Sequence, residues 1–459
     1  MRWLTTASSR NGDVFFMPES SRLLRASVGI DWTISSRDWL IMRREVKPGT
    51  KALVYCRQAG RKASARAASH EAISYLENAL QALQHIPESR ETLAQAIDLR
   101  FDLRREFLAL SAFDQIHELL RTTEQLAETL GDPRRQGRVL LYLTGYYRIN
   151  GNYDQAIEAG QRALVIAEAQ DDLSLKVETW LYVAGTLYSL GYYGQATDVI
   201  RQALTALEGT PMTERMGQLV LESVGTRYVI ALCLTEIGEF AGGIVYSEES
   251  VRIAEMVNDP ISLVHAYNAL GYIYLRQGQY QKGREIFERC LELCRTVNYL
   301  STIPTVACFL GYAYALTGRF AEARPLLEQK VDPHSASFHS FWPVQFSEVE
   351  LLAGHLHEAR DVAHSALDLA RTGRERGREA YTLRILGDIA MQFDPIDLDQ
   401  AKMHFNKPLN WLKNMECAPS KPIATVDLAF CIIRQDKLPE TEAILAEEEG
   451  QERCLGSEL

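Results

Sequence analysis

The sequence repeats itself about every 40 residues, and this repeat restricts the fold more than any other feature of the chain. Six aromatic residues follow a turn at regular spacing, namely Phe113, Tyr153, Tyr193, Phe240, Tyr280 and Phe320. The steps between them are 40, 40, 47, 40 and 40 residues, and Leu356, Leu398 and Leu438 continue the series. A glycine precedes most of these positions by two residues. Such a repeat indicates a stack of small units in which each unit packs only against its neighbours.

Each repeat unit is predicted to be a pair of helices. Apolar and small side chains recur at steps of three and four over residues 267–274, which is the spacing of one helix face. Gly278 then ends the first helix, because glycine adopts the left-handed backbone of a helix C-terminus without steric cost. The second helix carries small residues where the two helices approach each other closely, and these are Gly283, Ala156, Ala163, Ala196, Ala203, Ala359 and Ala366.

The links between units carry residues that start helices. Asp132, Asp259 and Asp332 each precede a proline, so each supplies a side-chain acceptor for an N-cap, and the proline supplies the first helical residue. Strand signals are nearly absent, since no sustained run alternates apolar and polar residues and no hairpin turn joins two β-branched segments. We therefore predict an all-α fold, a right-handed superhelical solenoid of about nine to ten helical hairpins.

The repeat array is predicted to cover residues 51–448. Residues 1–50 do not fit the repeat and form an N-terminal segment of their own, and residues 449–459 form a solvated acidic tail. The step of 47 residues contains seven additional residues within 208–220, where Gly209 and Pro211 indicate a longer loop.

The repeat resembles the tetratricopeptide repeat. The pattern of aromatic or leucine, glycine and tyrosine on the first helix, then Gly–x–aromatic, then small residues on the second, is clearest at residues 267–291 and 310–330. The pattern is looser elsewhere, because Thr144 and Ala184 replace the first-helix glycine and Gly160 replaces the second-helix aromatic residue. The period of 40 instead of the standard ~34 residues implies longer helices or links.

A narrower resemblance concerns three segments near the start of the array, residues 54–63, 71–80 and 95–104. They are similar to the C-terminal tetratricopeptide array of bacterial signalling proteins that join a class III adenylate/guanylate cyclase domain, an AAA-type ATPase domain and such an array. This resemblance implies a regulatory role. It covers only the array, so it implies no nucleotide chemistry for this chain.

Composition and charge exclude several classes of function. The chain has 49 basic and 60 acidic residues, a net charge of −11, so we expect no general binding to nucleic acids. No apolar run reaches the ~18 to 20 residues of a membrane helix, so we expect no membrane partner. The first ten residues lack the apolar core of a signal peptide, and eight cysteines are too sparse for a disulfide scaffold. These features predict a cytoplasmic protein.

No pattern of catalytic, cofactor-binding or metal-binding residues stands out. The segment 278–285 has the glycines of a phosphate-binding loop but lacks its Lys-Ser/Thr pair. Cys290 and Cys294 share a helix face, and we favour a core role over the weaker alternative of a zinc or redox site with Cys308. Five of the ten histidines fall in about thirty residues, and we interpret this cluster as a solvated turn; they are His334, His339, His355, His357 and His364. We predict no enzyme and no cofactor.

The inner face of the first helices is the predicted binding surface. Stacked hairpins generate a concave groove, and alignment of the repeats on their turns assigns twelve groove candidates: Arg148, Glu178, Tyr188, Tyr228, His265, Asn268, Tyr272, Arg276, Tyr312, Glu348, Arg384 and Asp388. Tyrosine and arginine dominate interface energetics. For each residue taken alone, simple solvent exposure is the favoured explanation, so the prediction concerns the set. The primary hypothesis is a non-catalytic interaction scaffold or sensor module that binds a peptide, a partner domain or an effector. The alternative is a regulatory fragment of a cyclase–ATPase protein.

Overall fold

The computed structural model describes residues 48–66, 68–110, 112–213, 220–328 and 341–413. Within these ranges it contains eighteen α-helices and no strand, paired as nine antiparallel hairpins. The first helices of the hairpins are α1 (Pro48–Ala65), α3 (Arg90–Ala109), α5 (Pro133–Ile149), α7 (Leu173–Leu190), α9 (Glu222–Glu236), α11 (Pro260–Arg276), α13 (Ile303–Leu316), α15 (Phe341–Leu352) and α17 (Arg376–Gln392). The second helices are α2 (Ser69–Gln84), α4 (Phe113–Leu130), α6 (Tyr153–Ala169), α8 (Tyr193–Ala206), α10 (Phe240–Met256), α12 (Tyr280–Thr296), α14 (Phe320–Leu327), α16 (Leu356–Thr372) and α18 (Leu398–Lys413).

The predicted all-α repeat solenoid is confirmed. Each turn residue of the repeat pattern up to Leu398 is the first residue of a second helix. The period of 40 residues arises because helices such as α5 and α6 have 17 residues each and three-residue turns separate them. Gly278 ends the first helix with φ of +76°, as predicted. The turns between hairpins place Asn258 and Asn298 in the same left-handed region.

Helix starts follow the predicted capping chemistry. Asp132 accepts a hydrogen bond from the backbone N–H of Arg135, and Asp259 accepts one from Ser262. Asp172 caps α7 in the same way without a following proline, which the sequence analysis missed. The third predicted cap, Asp332, lies outside the described residues.

The predicted boundaries of the array are only partly visible. The first described helix begins at Pro48, three residues before the predicted start. The boundary at residue 448, the acidic tail, Leu438 and nearly all of the N-terminal segment lie outside the described residues. Gly209, in the predicted long loop, adopts φ of +84° and follows the end of α8. In the described part of the chain, no helix is both long and apolar enough to cross a bilayer.

First helices form the inner wall of the solenoid. From α5 to α17, each first helix packs against the first helix of the next hairpin as well as against its own second helix. This packing brings the first helices closer together than the second helices and curves the array. The array curves so strongly that α17 in the ninth hairpin contacts α7 in the fourth. The expected open groove is therefore closed on one side.

Candidate binding groove

All twelve groove candidates lie on first helices, and none of them is exposed. Five are buried, namely Glu178, Asn268, Tyr312, Glu348 and Arg384, and the other seven are half-buried. Simple solvent exposure, the alternative for each single residue, is therefore wrong. The polar side chains lie along the inner wall because they recur on one face of each first helix.

A first group of candidates meets at Glu236, the last residue of α9. The hydroxyl of Tyr188 donates a hydrogen bond to Glu236 at 3.2 Å, and the hydroxyl of Tyr272 donates a shorter one. Burial, reinforced by the Glu236 carboxylate, raises the pKa of both tyrosines well above the usual value. Both hydroxyls therefore stay neutral donors. Glu236 was missed, although it precedes its turn aromatic by four residues, as Arg276 does.

A second group of candidates is joined by Tyr381. Arg276 donates to the Tyr381 hydroxyl at 3.1 Å, and that hydroxyl donates to Glu348 at 3.1 Å. Arg384 bonds both Glu348 at 2.6 Å and Asp388 at 2.8 Å. These contacts cross from the sixth hairpin to the eighth and ninth, so they connect the inner wall over the last four hairpins. Tyr381 was not predicted, although it lies one helical turn before Arg384.

A third group lies in the middle of the array, on the fifth and sixth hairpins. The ring of His265 meets that of Tyr228 edge to face with centroids 5.5 Å apart, and its Nε2 is 3.3 Å from the hydroxyl of Tyr299. Burial raises the pKa of Tyr228 to about 12, although the cation of Arg148 acts in the opposite direction. Glu178 does not join this group, because it pairs with Arg138 on the neighbouring first helix.

The side of the groove is closed by a contact that we call the seam. It joins the start of α6 and the turn before α8, residues 153–154 and 191–193, to residues 374–378 at the start of α17. Tyr153 donates a hydrogen bond to Glu375, and Arg374 pairs with Asp154 at 2.6 Å. Gly191 and Gly377 approach so closely that a Cβ on Gly191 would lie 2.8 Å from the backbone N of Gly377.

Buried charge on one side of the seam is compensated within it. Arg378 bonds Glu375 at 2.9 Å, and both side chains are largely buried. Burial by itself lowers the pKa of Arg378, but the Glu375 carboxylate and nearby tyrosines raise it overall. The guanidinium therefore stays charged and depends on Glu375 as its counter-ion.

A family model of the tetratricopeptide repeat matches residues 262–329. This chain carries tetratricopeptide repeats within residues 262–329. A human relative, tetratricopeptide repeat protein 29, is 30% identical over 158 residues, which are 33% of this chain and only 30% of that protein.

Two solved structures share the helical-repeat fold over about four fifths of this chain. A Rap protein complexed with competence and sporulation factor matches with a TM-score of 0.56 and 16% identity, covering 80% of this chain and 98% of that one. The Rap conjugation gene regulator of the plasmid pLS20, in complex with the Phr* peptide, matches with a TM-score of 0.50 and 13% identity, covering 81% and 98%. The narrower resemblance to cyclase–ATPase proteins is not shown by these comparisons.

The predicted core role of Cys290 and Cys294 is confirmed. Cys290 and Cys294 are fully buried and Cys308 nearly so, and the Cys290 thiol lies 3.4 Å from the carbonyl oxygen of Val264. Burial raises the pKa of Cys308, so its thiol is neutral and unreactive near pH 7.

One group among the described residues has side chains close enough to hold a metal ion. Glu350, His355 and Glu358 offer ligand atoms within 4.8 Å of one another at the turn between α15 and α16. Arg324 reaches Glu358 at 3.1 Å and Glu350 at 3.7 Å, and His355 bonds Glu350 at 2.5 Å. Because the Arg324 guanidinium pairs with both carboxylates, we interpret the group as an ion-pair network between hairpins. His357 and His364 are exposed, as predicted, and His334 and His339 lie outside the described residues.

Removing His265 is expected to flatten the pH dependence of stability between pH 6.5 and 4. Burial lowers the pKa of His265 to about 4 from 6.5, against the weaker opposing effect of Asp259, and the neutral phenols of Tyr228 and Tyr299 complete its surroundings. The unfolded chain therefore binds a proton that the folded chain does not, and stability falls as pH falls through this window, by at most about 3 kcal/mol. The urea midpoint at pH 7.0 and 4.5 should differ less in His265→Asn than in the wild type.

The matched control for this comparison is His364→Asn on the outer helix α16, where the histidine is exposed. This variant should keep the wild-type pH dependence. Equal pH dependence in all three proteins would show that His265 titrates normally.

Proposed function

We propose that the chain is a non-catalytic scaffold that binds a peptide or an extended segment of a partner protein in its groove. The supporting observation is the polar inner wall, where tyrosine, arginine and carboxylate side chains from five hairpins contact one another. Tyrosine and arginine are enriched among the residues that dominate binding energy at protein interfaces.

Two features favour a peptide as the ligand of this scaffold. A guanidinium group has five N–H donors and can bond backbone carbonyls, and carboxylate and phenol oxygens have several lone pairs that can accept from backbone N–H groups. The Rap conjugation gene regulator, whose fold this chain shares, was solved with the Phr* peptide.

The five described cysteines are free, which fits a scaffold in the reducing cytoplasm.

The double variant Tyr272→Ala with Arg276→Ala is expected to lose ligand capture and keep its helix content. These residues contact Glu236 and Tyr381, so their removal breaks the first and second groups of the groove. Truncation of an interface hot spot costs about 2 kcal/mol or more, which corresponds to about 30-fold weaker binding. Capture of partners from a lysate of the native host should be quantified by mass spectrometry, and helix content by circular dichroism.

The control for this experiment is Tyr280→Ala with Arg252→Ala, the same substitutions at exposed positions on second helices. The control should capture the same partners as the wild type. If the groove variant and the wild type capture the same partners in equal amounts, the groove is not the binding surface. Nucleotide turnover by the purified chain should stay at background.

The cyclase–ATPase alternative has no support beyond the sequence resemblance. It is tested by reading the DNA upstream of the first codon for an ATPase or cyclase domain in any frame. Such codons would assign the scaffold to the regulation of that enzyme.

A further inference from the structure

A cleft opens on the outer surface of the second and third hairpins. Residues of the second helices α4 and α6 form its two sides, residues of α5 form its floor, and its volume is about 350 Å³. We call this feature the outer cleft. Its lining is mostly apolar and includes Ala127, Val139, Leu140, Val165 and Ile166. The outer cleft is separate from the polar inner wall, where all twelve groove candidates lie.

Val165, at the mouth of the outer cleft, is an apolar residue at a position that is polar in five other repeats. Alignment of the second helices on their first residues places it with Gln125, Thr205, Arg252, Glu292 and Asp368. All six positions are exposed, and Val165 itself is 67% exposed. A single exposed valine is common on protein surfaces, but Val165 continues the apolar lining of a cleft, and such a combined patch is typical of an interaction surface.

The rim of the outer cleft carries both signs of charge. Arg162 on α6 is exposed and reaches Glu124 on α4 only at 3.7 Å. Ion pairs this exposed contribute little to the stability of a chain. Glu128, one helical turn further along α4, is exposed and makes no ion pair among the described residues. The rim therefore offers a carboxylate and a guanidinium that a partner could use.

A second copy of the same chain matches this arrangement. In a two-fold dimer the same patch meets itself, so the patch must carry both members of every contact. The outer cleft carries them, because Val165 projects beside an apolar cleft and Arg162 shares the rim with Glu128. A partner that was purely basic or purely acidic would instead match a rim of one charge sign.

We propose that the chain forms a two-fold dimer through the outer cleft. Val165 of each copy packs into the outer cleft of the other copy, and Arg162 of each copy pairs with Glu128 of the other. The contact is made on second helices, so the dimer leaves the inner wall uncovered. The inference is therefore independent of what the groove binds.

Sedimentation equilibrium of the purified full chain over a wide range of concentration tests the dimer. Val165→Glu places a charge in the apolar contact, and in a two-fold interface each substitution acts twice. We expect it to raise the dimer dissociation constant at least about 100-fold. Circular dichroism should show the helix content of the wild type, because this position is exposed within one chain.

The matched control is Val245→Glu. Val245 is also a valine on a second helix, it is 61% exposed, and it does not line the outer cleft. The control changes the net charge as Val165→Glu does, and it should dimerise like the wild type.

An exchange of the rim charges tests the pairing of Arg162 with Glu128. Arg162→Glu alone and Glu128→Arg alone place like charges opposite each other twice, so each should raise the dissociation constant about 10-fold or more. The double variant restores opposite charges across the interface and should recover the affinity of the wild type. A simple effect of net charge would weaken only Arg162→Glu, because Glu128→Arg makes the acidic chain less negative.

Two results would overturn the inference. A wild-type chain that stays monomeric at its highest soluble concentration would show that the outer cleft does not join two copies, and its occupant would then be a different molecule. A wild-type dimer that Val165→Glu leaves unchanged would place the dimer contact elsewhere on the surface. Neither result bears on ligand capture by the groove, which the Tyr272→Ala and Arg276→Ala variant measures separately.

Discussion

Replacing Glu375 by alanine is expected to open the closed side of the solenoid. Glu375 accepts the hydrogen bond of Tyr153 across the seam and is the counter-ion of Arg378. Without it, a buried guanidinium and a buried hydroxyl lose their partner, and removal of one member of a buried pair costs about 3 to 5 kcal/mol. When the two sides of the seam separate, water can solvate the Arg378 guanidinium and the Tyr153 hydroxyl. Opening therefore removes the free-energy penalty of burying these groups without a partner.

The opening should be visible by small-angle X-ray scattering as a larger radius of gyration and maximum dimension. Circular dichroism should show unchanged helix content, because each hairpin still packs on its neighbours. Hydrogen exchange should become faster at the start of α17 and in the turn before α8. The change should be confined to these two regions and to groove residues that the seam shields from water.

The matched control is Glu379→Ala, the same substitution one helical turn along α17. Glu379 pairs at 2.9 Å with Arg371, and both side chains are partly exposed and lie away from the seam. Exposed pairs contribute about 0 to 1 kcal/mol, so this variant should scatter like the wild type. Identical scattering and exchange for wild type and Glu375→Ala would mean that the seam adds nothing to closure.

The elements that sequence reasoning predicted depend on local chemistry. Tyr153 and Tyr280 could be assigned as the first residues of second helices because a glycine that adopts positive φ precedes each of them by two residues. The same alignment placed the groove candidates on first helices, because residues at equivalent positions of successive repeats lie on the same helix face. The fold and the composition of the inner wall were therefore predictable.

The partners of the candidates were harder to predict than the candidates. Glu236 joins the residues of the first group, and Tyr381 joins those of the second. These contacts depend on which first helices lie next to one another, which one repeat does not show. The seam was out of reach, because Tyr153 and Glu375 are 222 residues apart in the sequence. Their contact depends on a small rotation at every hairpin, and the sum of these rotations cannot be read from one repeat.

Replacing Gly271 by alanine is expected to destabilise the array, although alanine is the better helix former. Gly271 on α11 faces Phe287 on α12, and a Cβ there would lie 2.8 Å from Cε2 and 2.9 Å from Cζ of that ring. Phe287 has no room to move, because it is fully buried and stacked on Phe309 with centroids 5.2 Å apart. Forcing a methyl group into a packed core costs about 1 to 3 kcal/mol, more than the ~1 kcal/mol that alanine contributes to helix propensity.

The same substitution at Gly194 on α8 should have the opposite sign. A Cβ at Gly194 has no neighbour within 4 Å, so only the gain in helix propensity of about 0.5 to 1 kcal/mol remains. Urea denaturation followed by circular dichroism should therefore place Gly271→Ala below the wild type and Gly194→Ala above it. The double variant Gly271→Ala with Phe287→Leu should recover part of the loss, because the smaller side chain makes room for the methyl group. If Gly271→Ala matched Gly194→Ala in stability, the close contact between α11 and α12 would not limit which residues this repeat accepts.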